Sequence, residues 1–125
     1  DVKLYQGTLL GDTTLVFATF DTTAKLRQIV TLMKPGALNS LERYRMLVDL
    51  LSKKYGRASV VAEHYAAPYK PGDPGAVGGI KTGAVRLATT WKLDTELITL
   101  TIGRTYDVVV SYEPATPPER AERLF

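Results

Sequence analysis

The segment 41–55 constrains the fold more than any other part of the chain. Its apolar side chains recur at spacings of three and four residues, which places them along one side of an α-helix. These positions are Leu41, Tyr44, Leu47, Val48, Leu51 and Tyr55. A helix with one apolar side has to bury that side against another element, so the remaining chain must supply a surface for it.

Both ends of this helix carry the residue types that begin and end helices. Asn39 is a preferred cap for the first free amides, and Glu42, three residues later, is placed to complete a capping box. Gly56 follows the last apolar position and predicts the end of the helix, because glycine readily takes a left-handed backbone conformation.

The segments on either side of the helix have the character of β-strands. For the segment 25–33 a helix also fits the apolar spacing, but the β-branched run Ile29-Val30-Thr31 favours a strand. Short links between the segments favour antiparallel pairing. The predicted strands are 2–10, 13–20, 25–33, 59–66, 84–93, 97–102 and 106–112.

These elements predict an α+β fold, in which one main amphipathic helix packs on a mostly antiparallel sheet of about seven strands, in the order βββαββββ. A short C-terminal helix follows, with Thr116 as its cap and Pro117 in its first turn. The chain of 125 residues fits one domain, 1–125. One helix covers only one face of such a sheet, so we expect the other face to be solvated, closed by curling or covered by a partner.

The segment 67–83 differs in composition from the rest of the chain. It holds five glycines and three prolines, and it predicts a long loop without secondary structure. Aromatic residues lie in or near this loop, and such residues often anchor protein interfaces. The predicted binding residues are Tyr65, Tyr69, Lys70 and Trp91. Packing in the core or at a sheet edge is the alternative for Tyr65 and Trp91, whereas packing alone explains Tyr69-Lys70 less readily.

No motif in the sequence is typical of catalysis or of a bound metal or cofactor. The chain has no cysteine and one histidine, His64, whose neighbour Glu63 points to the opposite side of a strand. The glycines form no phosphate-binding motif, and no pair of carboxylates is singled out. The net charge of +3 is scattered, so we expect no nucleic-acid partner. No apolar run approaches the roughly 20 residues of a membrane span.

Four short pieces carry a resemblance to other proteins. They are F-x-x-x-x-K-L at 20–26, a helix end with L-x-x-K-Y-G within 50–56, Trp91, and V-x-Y at 110–112. Together they resemble a diffuse group of small bacterial exported or lipid-anchored α+β proteins of unknown function. The resemblance implies a periplasmic or cell-envelope location and supplies no active-site residue. Asp1 at the start of the chain fits removal of a signal peptide, and trimming of a longer chain leaves the same start.

The sequence thus predicts a non-catalytic interaction domain, bacterial and envelope-associated. Its protein partner is expected on the open sheet face or on the loop 67–83. A small-molecule or lipid-binding domain, with a pocket between helix and sheet, is the first alternative. An enzyme of unknown type is the second alternative.

Overall fold

The fold was analysed in a computed structural model, which describes residues 1–9, 11–73 and 75–114. The short C-terminal helix predicted from Thr116 lies outside the described residues. One main helix, α1 (Ser40–Tyr55), follows a 3₁₀ turn at Ala37–Asn39, and a short helix, α2 (Ala76–Thr82), comes later. The strands are β1 (Val2–Leu9), β2 (Asp12–Phe20), β3 (Leu26–Lys34), β4 (Val60–Tyr65), β5 (Val85–Lys92), β6 (Glu96–Ile102) and β7 (Val108–Pro114).

The seven strands form one sheet in the order β1-β2-β3-β7-β6-β5-β4, and every neighbouring pair is antiparallel. The predicted fold class is therefore confirmed. The β-branched segment around Val30 is a strand, as expected, and it lies in the middle of the sheet between β2 and β7. Strands β1 and β4 are the two edges.

Helix α1 buries its apolar stripe on β6 and β7. Tyr44 and Leu47 lie in the interior, and the other stripe residues pack around them. Trp91 of β5 is fully buried beneath the end of this helix, where its indole Nε1–H donates to the Gly56 carbonyl oxygen at 3.0 Å. The spacing of the stripe therefore predicted the packing of α1 correctly.

The two ends of α1 differ in how well the sequence predicted them. Gly56 ends the helix with φ 86°, and its amide donates to the Ser52 carbonyl oxygen at 2.9 Å, so the predicted stop is confirmed. The predicted capping box is wrong. Asn39 already has a near-helical backbone and makes no side-chain cap bond, because the chain enters through the 3₁₀ turn. The buried Ser40 hydroxyl instead donates to the Ala37 carbonyl oxygen at 3.0 Å.

The segment 67–83 is not a loop throughout, which corrects the sequence prediction. Helix α2 forms within it and packs on β5. Glycine lowers helix propensity by roughly 1 kcal/mol per residue, but close packing overrides that cost at Gly79. A Cβ there would lie 2.6 Å from Val85 Cγ2 and 2.9 Å from Tyr69 Cδ2, so only glycine lets the helix approach. Gly83, with φ 84°, ends the helix.

Both helices lie on the same face of the sheet. Helix α1 reaches β5 through the Tyr44 hydroxyl, which bonds to Thr89, and α2 approaches Val85 of the same strand. Thr89 and Val85 are four residues apart, so their side chains share a face. The opposite face is not covered by either helix, and we refer to it as the helix-free face.

Candidate functional site

The register of the sheet fixes which side chains occupy the helix-free face. Directly opposed residues in antiparallel strands point to the same side, and alternate residues point to opposite sides. Starting from Thr90, which neighbours the helix-facing Thr89, a continuous row crosses all seven strands. It runs Val60, Thr90, Thr99, Ser111, Val30, Phe17 and Leu4.

One half of this face is apolar. In one row Leu4 lies opposite Phe17, which lies opposite Val30, and in the next row Leu15 lies opposite Leu32, which lies opposite Val109. Leu4 is 59% exposed, and the other members are half-buried. We call this set the apolar patch: Leu4, Leu15, Phe17, Val30, Leu32 and Val109.

In the other half of the helix-free face, small hydroxyl side chains occupy the row between Val30 and the edge residue Val60. Hydroxyl side chains of Thr90, Thr99 and Ser111 line the middle strands in the same row as Val30 and Phe17. Gln28 borders them, and its Nε2 donates to Ser111 Oγ at 2.9 Å. The apolar patch is therefore bordered by groups that form hydrogen bonds.

The sequence of strand β2 contains a signal for the apolar patch. Strand β2 carries apolar residues at consecutive positions, Leu15, Val16 and Phe17, so both of its faces are apolar. A strand with one solvated face alternates apolar and polar residues. The departure from alternation in β2 indicates that its second face is an interaction surface or is covered.

Trp91, one of the four predicted binding residues, offers no surface to a partner. Its relative exposure is 0%, and its indole is engaged by Gly56. It lies near the opposite end of β5 from Val85, the strand residue next to Tyr65 and α2. The packing alternative therefore describes Trp91.

Tyr65 belongs to a cluster that ties the edge strand β4 to helix α1. Arg45 Nη2 donates to Glu63 Oε1 at 2.6 Å and to the Tyr65 hydroxyl at 3.1 Å, and that hydroxyl also donates to Glu63 Oε1 at 3.2 Å. The hydrogen bond from Arg45 lowers the pKa of the Glu63 carboxyl. Burial, and then the charge of Glu63, raise the pKa of Tyr65. Each polar group in this cluster has an internal partner.

Tyr69 and Lys70 have different surroundings although they are adjacent. The half-buried Tyr69 ring lies over Gly79 of α2, and its hydroxyl approaches Gly78. Lys70 is exposed. Packing therefore accounts for Tyr69 more fully than the sequence suggested, and of the four predicted residues only Lys70 is fully at the surface.

His64 lies on the helix-free face at the β4 edge, opposite Arg86. Its neighbour Glu63 points to the other face, toward Arg45, as the alternation of a strand requires. Within residues 1–9, 11–73 and 75–114, no three His, Cys, Asp or Glu side chains are grouped so that they could hold a metal ion.

The space between α1 and the sheet, where the sequence allowed for a ligand pocket, is filled by buried side chains that include Tyr44, Met33 and Trp91. A groove of about 970 Å³ lies elsewhere, at the end of the sheet where β2 ends and β3 begins, with Lys25 and Arg27 among its charged residues. Asp21 also lines it, and hydrogen bonds from the Thr23 hydroxyl and the Lys25 amide lower the pKa of that carboxyl.

Comparison with models of known protein families gives no match for the chain. Comparisons with curated proteins and with solved structures give no significant match either. Among the described residues, no helix has both the length and the apolar character that crossing a membrane requires.

Proposed function

We propose that the chain is a non-catalytic interaction domain that binds a protein partner through its helix-free face. The apolar patch is the observation that carries this proposal. Leu4, Phe17 and Val30 form one cross-strand row, and a second row of the same kind lies beside it. Contiguous apolar surface of this kind on a soluble protein marks sites of association.

The surroundings of the apolar patch also favour a protein partner. Protein interfaces combine an apolar centre with a polar rim that forms hydrogen bonds. Here the hydroxyl groups of Thr99 and Ser111 lie beside the patch in the same row as Val30. Both regions lie on one face of the same antiparallel sheet, so a single partner can contact both of them.

The segment 67–83 is a weaker candidate for the same partner. Most of its bulk is used internally, since α2 packs on β5 and the Tyr69 ring lies against Gly79. Lys70 is exposed but isolated, and a single surface lysine adds little affinity. The helix-free face is therefore the preferred candidate for the partner-binding surface.

Site-specific photocross-linking tests the proposal in the native host. A photoreactive residue at Leu32, inside the apolar patch, is expected to give an adduct with another polypeptide. The same residue at Asp49, which is exposed on α1 on the other side of the sheet, is the matched control and is expected to give none. An adduct at Asp49 with none at Leu32 would place the partner on the wrong face, and the proposal would fail.

The location of the protein is part of the same proposal. The resemblance described above supports a bacterial, envelope-associated protein in the periplasm or at the cell envelope. Fractionation of the native host tests this directly. Recovery with the cytoplasm would reject the location without bearing on the helix-free face.

A small-molecule binder remains the second candidate because of the groove at the end of the sheet. Its volume of about 970 Å³ is within the usual range for ligand sites, roughly 300–1,000 Å³. Lys3, Lys25 and Arg27 line it together with the carboxylates of Asp1, Asp21 and Glu113, so the lining suits a ligand that carries groups of both charges. Native mass spectrometry of freshly purified protein is expected to show added mass that is lost in Lys25→Ala/Arg27→Ala; an unmodified chain mass would reject this candidate.

A further inference from the structure

The edge strand β1 has hydrogen-bonding groups that none of the described residues uses. Asp1 and Phe20 exchange two hydrogen bonds, from the Phe20 amide to the Asp1 carbonyl oxygen at 2.8 Å and from the Asp1 amino group to the Phe20 carbonyl oxygen at 3.3 Å. Bonding alternates along an antiparallel pair, so the odd-numbered residues of β1 bond to β2. The even-numbered residues then direct their amide and carbonyl groups outward: Val2, Leu4, Gln6 and Thr8.

Nothing within the described residues explains the glycine in the middle of β1. Glycine weakens a strand interior and often marks a position where another backbone or ligand approaches closely. Gly7 has no positive φ, and a Cβ placed there would meet nothing within 4 Å. Neither turn geometry nor crowding therefore requires glycine at this position.

We propose that β1 pairs antiparallel with β1 of a second copy, around a two-fold axis at Gln6, and joins the two sheets into one. In this register Tyr5 lies opposite Gly7 of the second copy, and Gly7 lies opposite the second Tyr5. An aromatic ring laid over a glycine on the neighbouring strand is a known way to compensate for the missing side chain. Tyr5 is 55% exposed, so its ring is available for this contact.

The pattern of outward-facing groups restricts the register, and the pairing of Tyr5 with Gly7 selects one of the registers that it allows. Only even-numbered residues offer bonds, so an even-numbered residue must face an even-numbered one. With Gln6 facing Gln6, Leu4 faces Thr8 of the second copy, and both pairs exchange backbone hydrogen bonds. Lys3, the single charged residue of β1, then faces Leu9 of the second copy rather than another lysine.

The other sheet edge is a poorer partner for β1. Strand β4 is shorter and carries Glu63 and His64, and Glu63 is held by Arg45. Charged residues on an edge discourage strand addition, whereas β1 has no proline, no bulge and one lysine. Pairing of β1 with β4 would also leave free edges at both ends and grow into filaments, whereas pairing of β1 with itself closes as a dimer.

Cysteine cross-linking tests the register, because the chain has no cysteine of its own. In a hydrogen-bonded antiparallel pair the two Cα atoms lie about 5.5 Å apart, within the range that a disulfide spans. Gln6→Cys is expected to give a disulfide-linked dimer on mild oxidation. Leu4→Cys is the matched control, since its two copies would lie about 14 Å apart along the strands, and the pair of cysteines at positions 4 and 8 is expected to link again.

The mass in solution tests the association itself. Sedimentation of the unmodified chain from micromolar to millimolar concentration is expected to show growth from 13.7 kDa to twice that mass. Gln6→Lys places two lysines opposite each other and is expected to stay at the monomer mass with an unchanged circular dichroism spectrum.

A monomer at every concentration would overturn the proposal, as would open-ended filaments or dimers that Gln6→Lys leaves intact. Cross-linking of Leu4→Cys in preference to Gln6→Cys would overturn the register. These outcomes do not depend on the photocross-linking at Leu32, so the experiments test the proposed dimer and the proposed partner-binding face independently.

Discussion

The Tyr44 hydroxyl of helix α1 and the Thr89 hydroxyl of strand β5 lie 2.7 Å apart in the interior and share a hydrogen bond. Tyr44 is fully buried, and Thr89 is 2% exposed. Burial raises the pKa of Tyr44, so its phenol is protonated at neutral pH and can donate a hydrogen bond. This bond links α1 to strand β5 in the hydrophobic core.

Removal of one partner of this bond is expected to cost more than removal of both. Tyr44→Phe leaves the buried Thr89 hydroxyl without a partner, and we expect a loss of about 1–2 kcal/mol in the free energy of unfolding. In the double variant Tyr44→Phe/Thr89→Val neither hydroxyl remains. Urea unfolding of both single variants and the double variant gives the coupling energy, expected to be about 1 kcal/mol. Strictly additive losses would contradict the shared bond.

Two adjacent glycines of α2 are expected to respond oppositely to alanine. Gly79→Ala forces a Cβ to 2.6 Å from Val85 Cγ2, so we expect a loss of about 1–3 kcal/mol from overpacking. Gly78 is exposed, and its Cβ would meet only the Tyr69 hydroxyl, at 3.5 Å. Gly78→Ala is therefore expected to raise stability by about 0.5–1 kcal/mol through helix propensity. Thermal melts of the two variants check the sign of each effect.

The Glu63–Arg45 ion pair gives a small pH-dependent contribution to stability. The pKa of Glu63 lies below its ordinary value of 4.5 in the fold, so the contribution is fully present above that pH and is lost as the pH falls through the lowered pKa. The pair is partly exposed, so Glu63→Gln is expected to cost only about 0.5 kcal/mol at neutral pH. The difference between wild type and variant should vanish in acid; a difference that grows as the pH falls would contradict this account.

Alanine substitutions at Tyr69 and at Lys70 are expected to have different effects on the melting temperature. The ring of Tyr69 packs on α2, so Tyr69→Ala should lower the melting temperature by several degrees, as a loss of roughly 1–2 kcal/mol does in a domain of this size. Lys70 is exposed, and Lys70→Ala should leave the melting temperature nearly unchanged. Equal melting temperatures for the two variants would show that Tyr69 is a surface residue after all.

The main elements were predictable where a repeating pattern is tied to burial. The spacing of Tyr44, Leu47 and Leu51 determines α1, and the β-branched run at Val30 determines a strand. Helix α2 was not predictable from propensity, because Gly79 is unfavourable in a helix until Val85 and Tyr69 are known to press against it. The 3₁₀ entry to α1 likewise depends on the buried position of Ser40, which only the fold supplies.

The candidate site was less predictable than the fold for a physical reason. A patch on a sheet depends on register between strands that are distant in sequence, such as Leu32 of β3 opposite Val109 of β7. Trp91 was predicted to bind a partner because indoles are common at interfaces, but here its indole packs at the end of α1 and donates to Gly56. The predicted open sheet face followed from counting helices, whereas the composition of that face needed the structure.

The most direct measurement of the central claim is the affinity of the cross-linked partner for variants of the helix-free face. Phe17→Thr/Leu32→Thr removes the centre of the apolar patch but keeps strand-forming residues, and Asp49→Ala on α1 is the matched control. The account predicts at least about tenfold weaker binding for the patch variant, or roughly 1.4 kcal/mol, with a cooperative thermal melt retained and Asp49→Ala unchanged. Equal affinity of the folded patch variant and the wild type would contradict it.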